Sequence, residues 1–563
     1  MRQFTKTAPR PSGSMFKSAA LVGVLTLVSR ITGLFQSRIL AQYLGVGMAA
    51  DAFSVANRIP NLLRRFAAEG TMTSAFLPTV SEVEAARGED AAKTLVARFL
   101  GTFGLLLLLL CLLGMVAMGL VTGLQMLGRL PGHGWIAQLA ELGRVLSGRS
   151  QAPPELLLTT SLARIMFPYL ALVSLTAGLA AVLNLRGRFG LPASVSTFWN
   201  LTFLAVGYSA FHWGPASWRN PVQATFVFAI AVLIGGIVQL LLLWPSFHEL
   251  GFSINWGLHF RDLDVRRALR RMTPGLLGTG IHPINVLIST ALASTLAVGA
   301  QMVLFNSNMM GEMVLGLFST SLATVSLPTM SRLMDAGDTD GLRSALAGAL
   351  RGTAVLAIPA SVGMAVLAQP IIYVLLGIGR YDAHAVSWTA TTLAYQSVGL
   401  LFIATSRIVA QCLYAMKDYR TPAYAALFGM IVNVGLSLLL MWHIGPDGTI
   451  LGTRGIALAN GLSSLAGLGF LSFRLSRRLQ NPPFARVLGA WFSMGLAAAL
   501  MGLGTWWAAR QLSLFQFRGA WQTSLRLFPL IGVAAGVYYG LLLLLRVAEA
   551  QDLTRLALRK LRR

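Results

Sequence analysis

NRIPNLLRRFAAEG, residues 57–70, places three arginines, a glutamate, two asparagines and a proline inside a run whose flanks, AADAFSVA and TMTSAFLPTV, continue as apolar helix. An arginine at the centre of a membrane helix costs about 2.5–3.5 kcal/mol on insertion scales, so three facing lipid cost roughly 8–10 kcal/mol. The segment therefore spans a bilayer only if its charged face lines water or protein. Helical spacing permits this. Asn57, Asn61 and Arg64 fall at i, i+4 and i+7 on one face. Arg58 and Arg65 occupy an adjoining strip, and Arg65 and Glu69 are i,i+4 partners. Pro60 removes one backbone hydrogen bond, an irregularity tolerated at membrane depth where a helix lines a cavity.

The rest of the chain supplies the bilayer. Of its 563 residues 55% are hydrophobic and 12% charged, against about 25% charged in soluble domains. The net charge of +25 would suggest nucleic acid in a soluble protein. Here the basic residues cluster in short connections between apolar runs, the pattern of positive-inside topology, and nucleic acid is excluded as a partner. Cys111 and Cys412 lie in separate apolar segments, so neither a disulfide nor a metal site is expected.

Ruled at about 20 apolar residues per span, the sequence reads as an all-α polytopic membrane protein of about fourteen transmembrane helices. A basic cytoplasmic tail (1–17) precedes a retained first helix, with no removed signal peptide. Six spans fill 18–246, six fill 273–474 and two fill 475–548; 549–563 is a second basic tail. Connections on the side of the termini hold roughly 26 Lys and Arg and the opposite ones roughly 7, so both ends are expected in the cytoplasm. Between the two sets of six, the linker 247–272 contains FRDLDVRRALRRM, a basic amphipathic helix suited to an anionic lipid surface. Its acidic pair, Asp262 and Asp264, reads as part of a solvated loop rather than a metal site.

Internal repeats set the architecture. FLPTVS at 76–81 matches SLPTMS at 326–331, and LNLRGRFGLPA at 183–193 matches LYAMKDYRTPA at 413–423, offsets of 250 and 230. Each pair lies six spans apart, which predicts two six-helix lobes in parallel repeat plus two C-terminal helices, a transporter architecture with substrate held between lobes. Further charges fall inside spans: Arg30 in LVSRITGLFQSRILAQYLG, Arg407 in LFIATSRIVAQ, and Asp51, Glu69 and Glu312 as counter-charges. The balance in the first lobe stays positive. A cationic cavity predicts an anionic substrate, because guanidinium groups remain charged and grip phosphate oxygens bidentately. The longest connections, 123–155 and 247–272, carry no catalytic constellation, His282 and His384 stand alone, and no enzyme activity is expected.

SRITGL (29–34), GMAADAFSVANRIPNLLRRFAAEGTMTSAFLP (47–78), FPYLALVS (167–174), INVLIST (284–290), SLPTMSR (326–332), AYQSVGL (394–400) and KDYRTP (417–422) resemble the MurJ (MviN) family, the lipid II flippases of peptidoglycan synthesis. The resemblance implies the fold of the multidrug/oligosaccharidyl-lipid/polysaccharide exporter superfamily. It further implies a lipid II flippase of the bacterial inner membrane that works by alternating access; the alternative is a flippase for another polyprenyl-pyrophosphate-linked oligosaccharide. Its implied substrate-contacting positions are Arg30, Asp51, Asn61, Arg64, Arg65, Glu69, Glu312 and Arg407. Two family arginines are replaced: one falls on Gln36, with Arg38 the nearest cation, and one on Met309 within SNM at 307–309. Implied partners are lipid II, membrane lipids and other cell-wall synthesis proteins. No cofactor is implied, and coupling to a monovalent ion stays open.

Overall fold

The structure is a computed structural model. It describes residues 13–64, 76–445, 448–479, 482–517, 519–551 and 554–555, without the side chains of 13–20, 64, 273–283 and 317–325. The regular secondary structure of the described residues is helical, with no named strand among them. They sort into two compact units, one within Met1–Leu44, Ala52–Gly123 and Val145–Gly280, the other within Gly45–Asp51, Leu124–Arg144 and Ile281–Arg563.

The first unit contains α1 (Gly13–Leu44), most of α2 (Met48–Arg64), α3 (Leu77–Arg87), α4 (Glu89–Gln125), the end of α5 (Trp135–Leu146), α6 (Pro154–Met166), α7 (Tyr169–Leu185), α8 (Gly190–Trp213), α9 (Pro221–Glu249) and the first half of α10 (Leu263–Ala293). Around α9 pack α1, α6, α7 and α8. Phe203, Phe211 and Phe228, all fully buried or nearly so, meet at that junction, Phe203 stacked on Phe228 and Phe211 edge-on to it. Asn220 caps α9 by accepting from the Val222 amide, with Pro221 in the first turn, where a missing N–H costs nothing.

In the second unit are α11 (Ala300–Asp335), α12 (Thr339–Val366), α13 (Ala368–Leu376), α14 (Ala383–Ser397), α15 (Leu400–Ala415), α16 (Arg420–Leu440), α17 (Thr453–Arg478), α18 (Phe484–Gln511) and α19 (Ala520–Leu544). Asp338 and Asp382 cap α12 and α14. Helix α11 packs on α12, α14 and α15, while α18 lies on α12 and α19 on α18.

Among the described residues, eight helical segments are long and apolar enough to cross a membrane, and α14 with α15, bent by 42° at their break, make a ninth. Two turns display the internal repeat in the backbone. After α7, the Gly187 amide donates to the Asn184 carbonyl and the Arg188 amide to Leu183. After α15, Lys417 donates to Tyr414 and Asp418 to Leu413. Residues 187 and 417 both hold positive φ, the left-handed helix ending in which paired amides satisfy the last carbonyls.

Candidate functional site

Most of the candidate cations of the first unit lie on α1 and α2. Arg30 and Arg38 are half-buried along α1. Asn200 of α8, buried itself, donates to the Ser29 carbonyl at 2.8 Å and to Thr32 Oγ1 at 3.0 Å, which fixes α1 one residue from Arg30. On α2, Asn57 and Arg58 are buried and Asn61 is half-buried. Asn61 donates to the Asn57 carbonyl at 2.8 Å and to its Oδ1 at 3.1 Å, so the shared face expected from i,i+4 spacing carries a direct side-chain bond. Arg64 closes α2 and its side chain lies outside the description; Arg65 and Glu69 lie outside the described residues.

Asp51 belongs to the second unit and is 1% exposed. Its carboxylate accepts from the Gly299 amide at 2.7 Å and the Met302 amide at 2.8 Å, at the start of α11. An anion at a helix N-terminus meets free N–H groups and the positive end of the dipole. Arg129 reaches the same carboxylate at 3.4 Å. The Nη2 that makes this contact also donates to the Ala297 carbonyl and Nη1 donates to the Leu296 carbonyl, and the neighbouring Gly128 amide donates to Ser294 Oγ. The segment after α4 is thus bolted to the α10–α11 turn. Gln301 repeats the theme: fully buried, it donates at 3.0 Å to the last carbonyl of α4, at Gln125, and to the Thr290 carbonyl of α10. Sequence reading missed Arg129, Gln301 and Asn200, since each acts on a residue far away in the chain.

Further along α11, Glu312 is exposed and Met309 half-buried; Arg407 is exposed on α15. Beside Met309, Ser307 Oγ donates to Gln396 Oε1 at 2.5 Å, and Gln396 Nε2 donates to Asn308 Oδ1 at 2.6 Å. The SNM replacement therefore forms a neutral amide clamp between α11 and the end of α14. A second neutral cluster joins Asn433 to Asn285 Oδ1 at 2.8 Å and Ser437 to Asn433 Oδ1 at 3.1 Å.

Asp262 and Asp264 depart from the solvated loop expected of them. Both side chains are largely buried, Asp262 pairing with Arg98 at 2.8 Å and Asp264 with Arg87. Asp262 also accepts from the Asp264 and Val265 amides, which starts α10. Burial works against ionisation of Asp262. The Arg98 hydrogen bond, the two amides and the Arg98 charge outweigh it and hold the carboxyl below its ordinary value.

Two helical units with eight described segments long and apolar enough to cross a membrane have the architecture of a polytopic transporter. Residues 40–541 match the family described as Lipid II flippase MurJ, and the chain belongs to that family. It is 31% identical over 540 residues to the probable lipid II flippase MurJ of Vibrio cholerae, covering 95% of this chain and 97% of that one. The lipid II flippase MurJ of Burkholderia cenocepacia is also 31% identical, over 505 residues, 88% of this chain and 90% of that one. Among solved structures, a lipid II flippase MurJ in an inward closed conformation superposes with a TM-score of 0.69 at 21% identity, covering 92% of this chain and 98% of that one. An inward-facing multidrug resistance MATE family transporter of the MOP superfamily gives 0.63 at 13% identity, covering 81% and 98%. These last two similarities establish a shared fold.

Proposed function

We propose that this chain carries lipid II from the cytoplasmic to the outer leaflet of the bacterial inner membrane, with both termini in the cytoplasm and no covalent chemistry of its own. The observation that carries the reading is the family match over residues 40–541; the guanidinium groups Arg30 and Arg38 on α1 and Arg58 and Arg64 on α2, both read as spans in the sequence, support it. A pyrophosphate crossing a bilayer needs such partners, since its oxygens leave water and find charge-assisted donors in their place. Asn61 and Arg65 complete the cationic face of the second span, with Glu69, Glu312 and Arg407 as further charged contacts. Asp51 acts through the outer end of α11. Membrane lipids surround the carrier, and enzymes of cell-wall synthesis consume what it delivers.

The test is exposure of lipid II at the outer face of cells depleted of their own flippase and complemented by this chain. Restored exposure is expected, along with its loss in Arg30→Ala at wild-type protein level. A chain that inserts and leaves lipid II in the inner leaflet overturns the reading.

A further inference from the structure

Between α9 and α10 the chain runs as a strap, residues 250–262, seated on α4. The Asn255 amide donates to the Ala97 carbonyl at 3.0 Å, and Thr102 Oγ1 bonds both the Gly257 carbonyl and the His259 amide at 3.0 Å. The seat depends on Gly101, where a Cβ would stand 1.7 Å from the Asn255 carbonyl oxygen. Every acidic group of the strap and of the start of α10 is turned inward: Asp262 onto Arg98 and Asp264 onto Arg87. The basic groups are turned outward. Arg261, Arg266, Arg267, Arg270 and Arg271 are all exposed, and Arg261 and Arg270 make no ion pair among the described residues. Val265, Ala268 and Met272 form the buried seam of the helix. Between the arginines stand large exposed apolar side chains, Trp256, Leu258, Phe260 and Leu263, the last 72% exposed.

We propose that this strap and the first turns of α10 form a docking surface for anionic phospholipid headgroups of the leaflet on the side of the termini. Three observations point to that occupant. The fold sorts a sequence of alternating sign into a face of one sign, which matches a negatively charged surface. Aromatic and aliphatic side chains interleave with that charge, the composition of a helix lying at the headgroup–acyl boundary. The strap also follows directly on α9 and sits on the first half of α4, two helices long and apolar enough to cross a membrane. A soluble anion, or an acidic segment of another protein, would use the arginines and leave the four apolar side chains in water.

Cys111 and Cys412 are buried, so a Leu258→Cys chain takes an environment-sensitive thiol label at the strap. The full chain is placed in nanodiscs of phosphatidylcholine alone or with phosphatidylglycerol. We expect the label to shift to shorter wavelength with phosphatidylglycerol. Arg261→Gln with Arg270→Gln abolishes the shift, and Arg474→Gln with Arg477→Gln, which removes equal charge at another exposed cluster, keeps it. On the unlabelled chain, phosphatidylglycerol raises the unfolding temperature, and the strap pair of substitutions removes that gain. Equal emission in both discs, an unchanged shift in the strap variant, or equal loss in both variants overturns the proposal; equal loss shows attraction by net charge alone. Capture of an acidic peptide with no phosphatidylglycerol response assigns the face to a protein and also overturns it.

Discussion

Gly187 and Lys417 occupy one and the same turn of the internal repeat, with φ of 76° and 61°. The next residue in each turn ties it to the end of the helix that closes its bundle. Arg188 reaches Glu249 at the end of α9 at 2.6 Å, and Asp418 reaches Arg478 at the end of α17 at 3.0 Å. The tie is kept while its charges are exchanged, so the geometry of the repeat outlasts the identity of its residues.

A lysine in the left-handed region bears strain that glycine does not, about 1–2 kcal/mol. Lys417→Gly is expected to stabilise the protein by about 1 kcal/mol and Gly187→Ala to destabilise it by a similar amount. The exposed contact of Lys417 with Asp335, at 3.7 Å, contributes little against this. Thermal unfolding of the purified variants reads both signs.

The bolt around Asp51 should loosen in graded steps. Arg129→Ala leaves the carboxylate its two amides and costs about 1–3 kcal/mol; Asp51→Ala takes the acceptor from both amides and leaves Arg129 only its two carbonyls, and costs more. Thiol labelling of Ser294→Cys, at a position now fully buried, should be slow in the parent, faster with Arg129→Ala and fastest with Asp51→Ala. Equal rates in all three would remove Asp51 and Arg129 from control of this end.

Gln396→Leu deprives Ser307 and Asn308 of their shared partner and should cost about 1–3 kcal/mol. Met309 is half-buried next to that clamp, so part of its side chain is uncovered, and a long basic side chain can carry its charge away from an apolar stem. Met309→Arg is therefore expected to express and melt like the parent. A fall in melting temperature as large as that of Gln396→Leu would place Met309 in a dry core.

Acid should release the strap. Because the folded Asp262 carboxyl lies below its ordinary value, its bonds to Arg98 and to the α10 amides are intact above the usual carboxylate range, near 4, and are lost as pH falls through the depressed folded value. Amide exchange at Asn255 and His259 is expected to rise over that acidic window, and Asp262→Asn should exchange fast at every pH. Protection that persists into strong acid would show that Thr102 and the Asn255–Ala97 bond suffice.

Flipping should follow the membrane potential. The sequence carries no G-x-x-x-x-G-K-[ST] nucleotide loop, and outward movement of a headgroup with two negative charges gains roughly 4–5 kcal/mol at 100 mV. Collapsing the potential with valinomycin and potassium is expected to stop lipid II exposure; collapsing the pH gradient with nigericin is expected to spare it. The reverse pattern would point to a carboxylate that carries protons.

Much of this protein is written locally. Apolar runs of membrane length, arginines at helical spacing within 57–70, and matched segments such as 183–193 and 413–423 are properties of neighbouring residues, so class, repeat and family are legible in the sequence. The partner of each charge is not. Asp51 reads as one more counter-charge in a span, yet it meets the Met302 amide 251 residues away. Asp262 reads as a loop acid, yet it meets Arg98 across 164 residues. Gln396 stands in the sequence only as one letter of the AYQSVGL motif, yet it clamps Asn308 from 88 residues away. Helix periodicity reports which face a side chain occupies. Which group waits on that face is decided when helices pack, because a desolvated polar group is stable only against a partner, and the chain supplies that partner from wherever its fold brings one within about 3 Å.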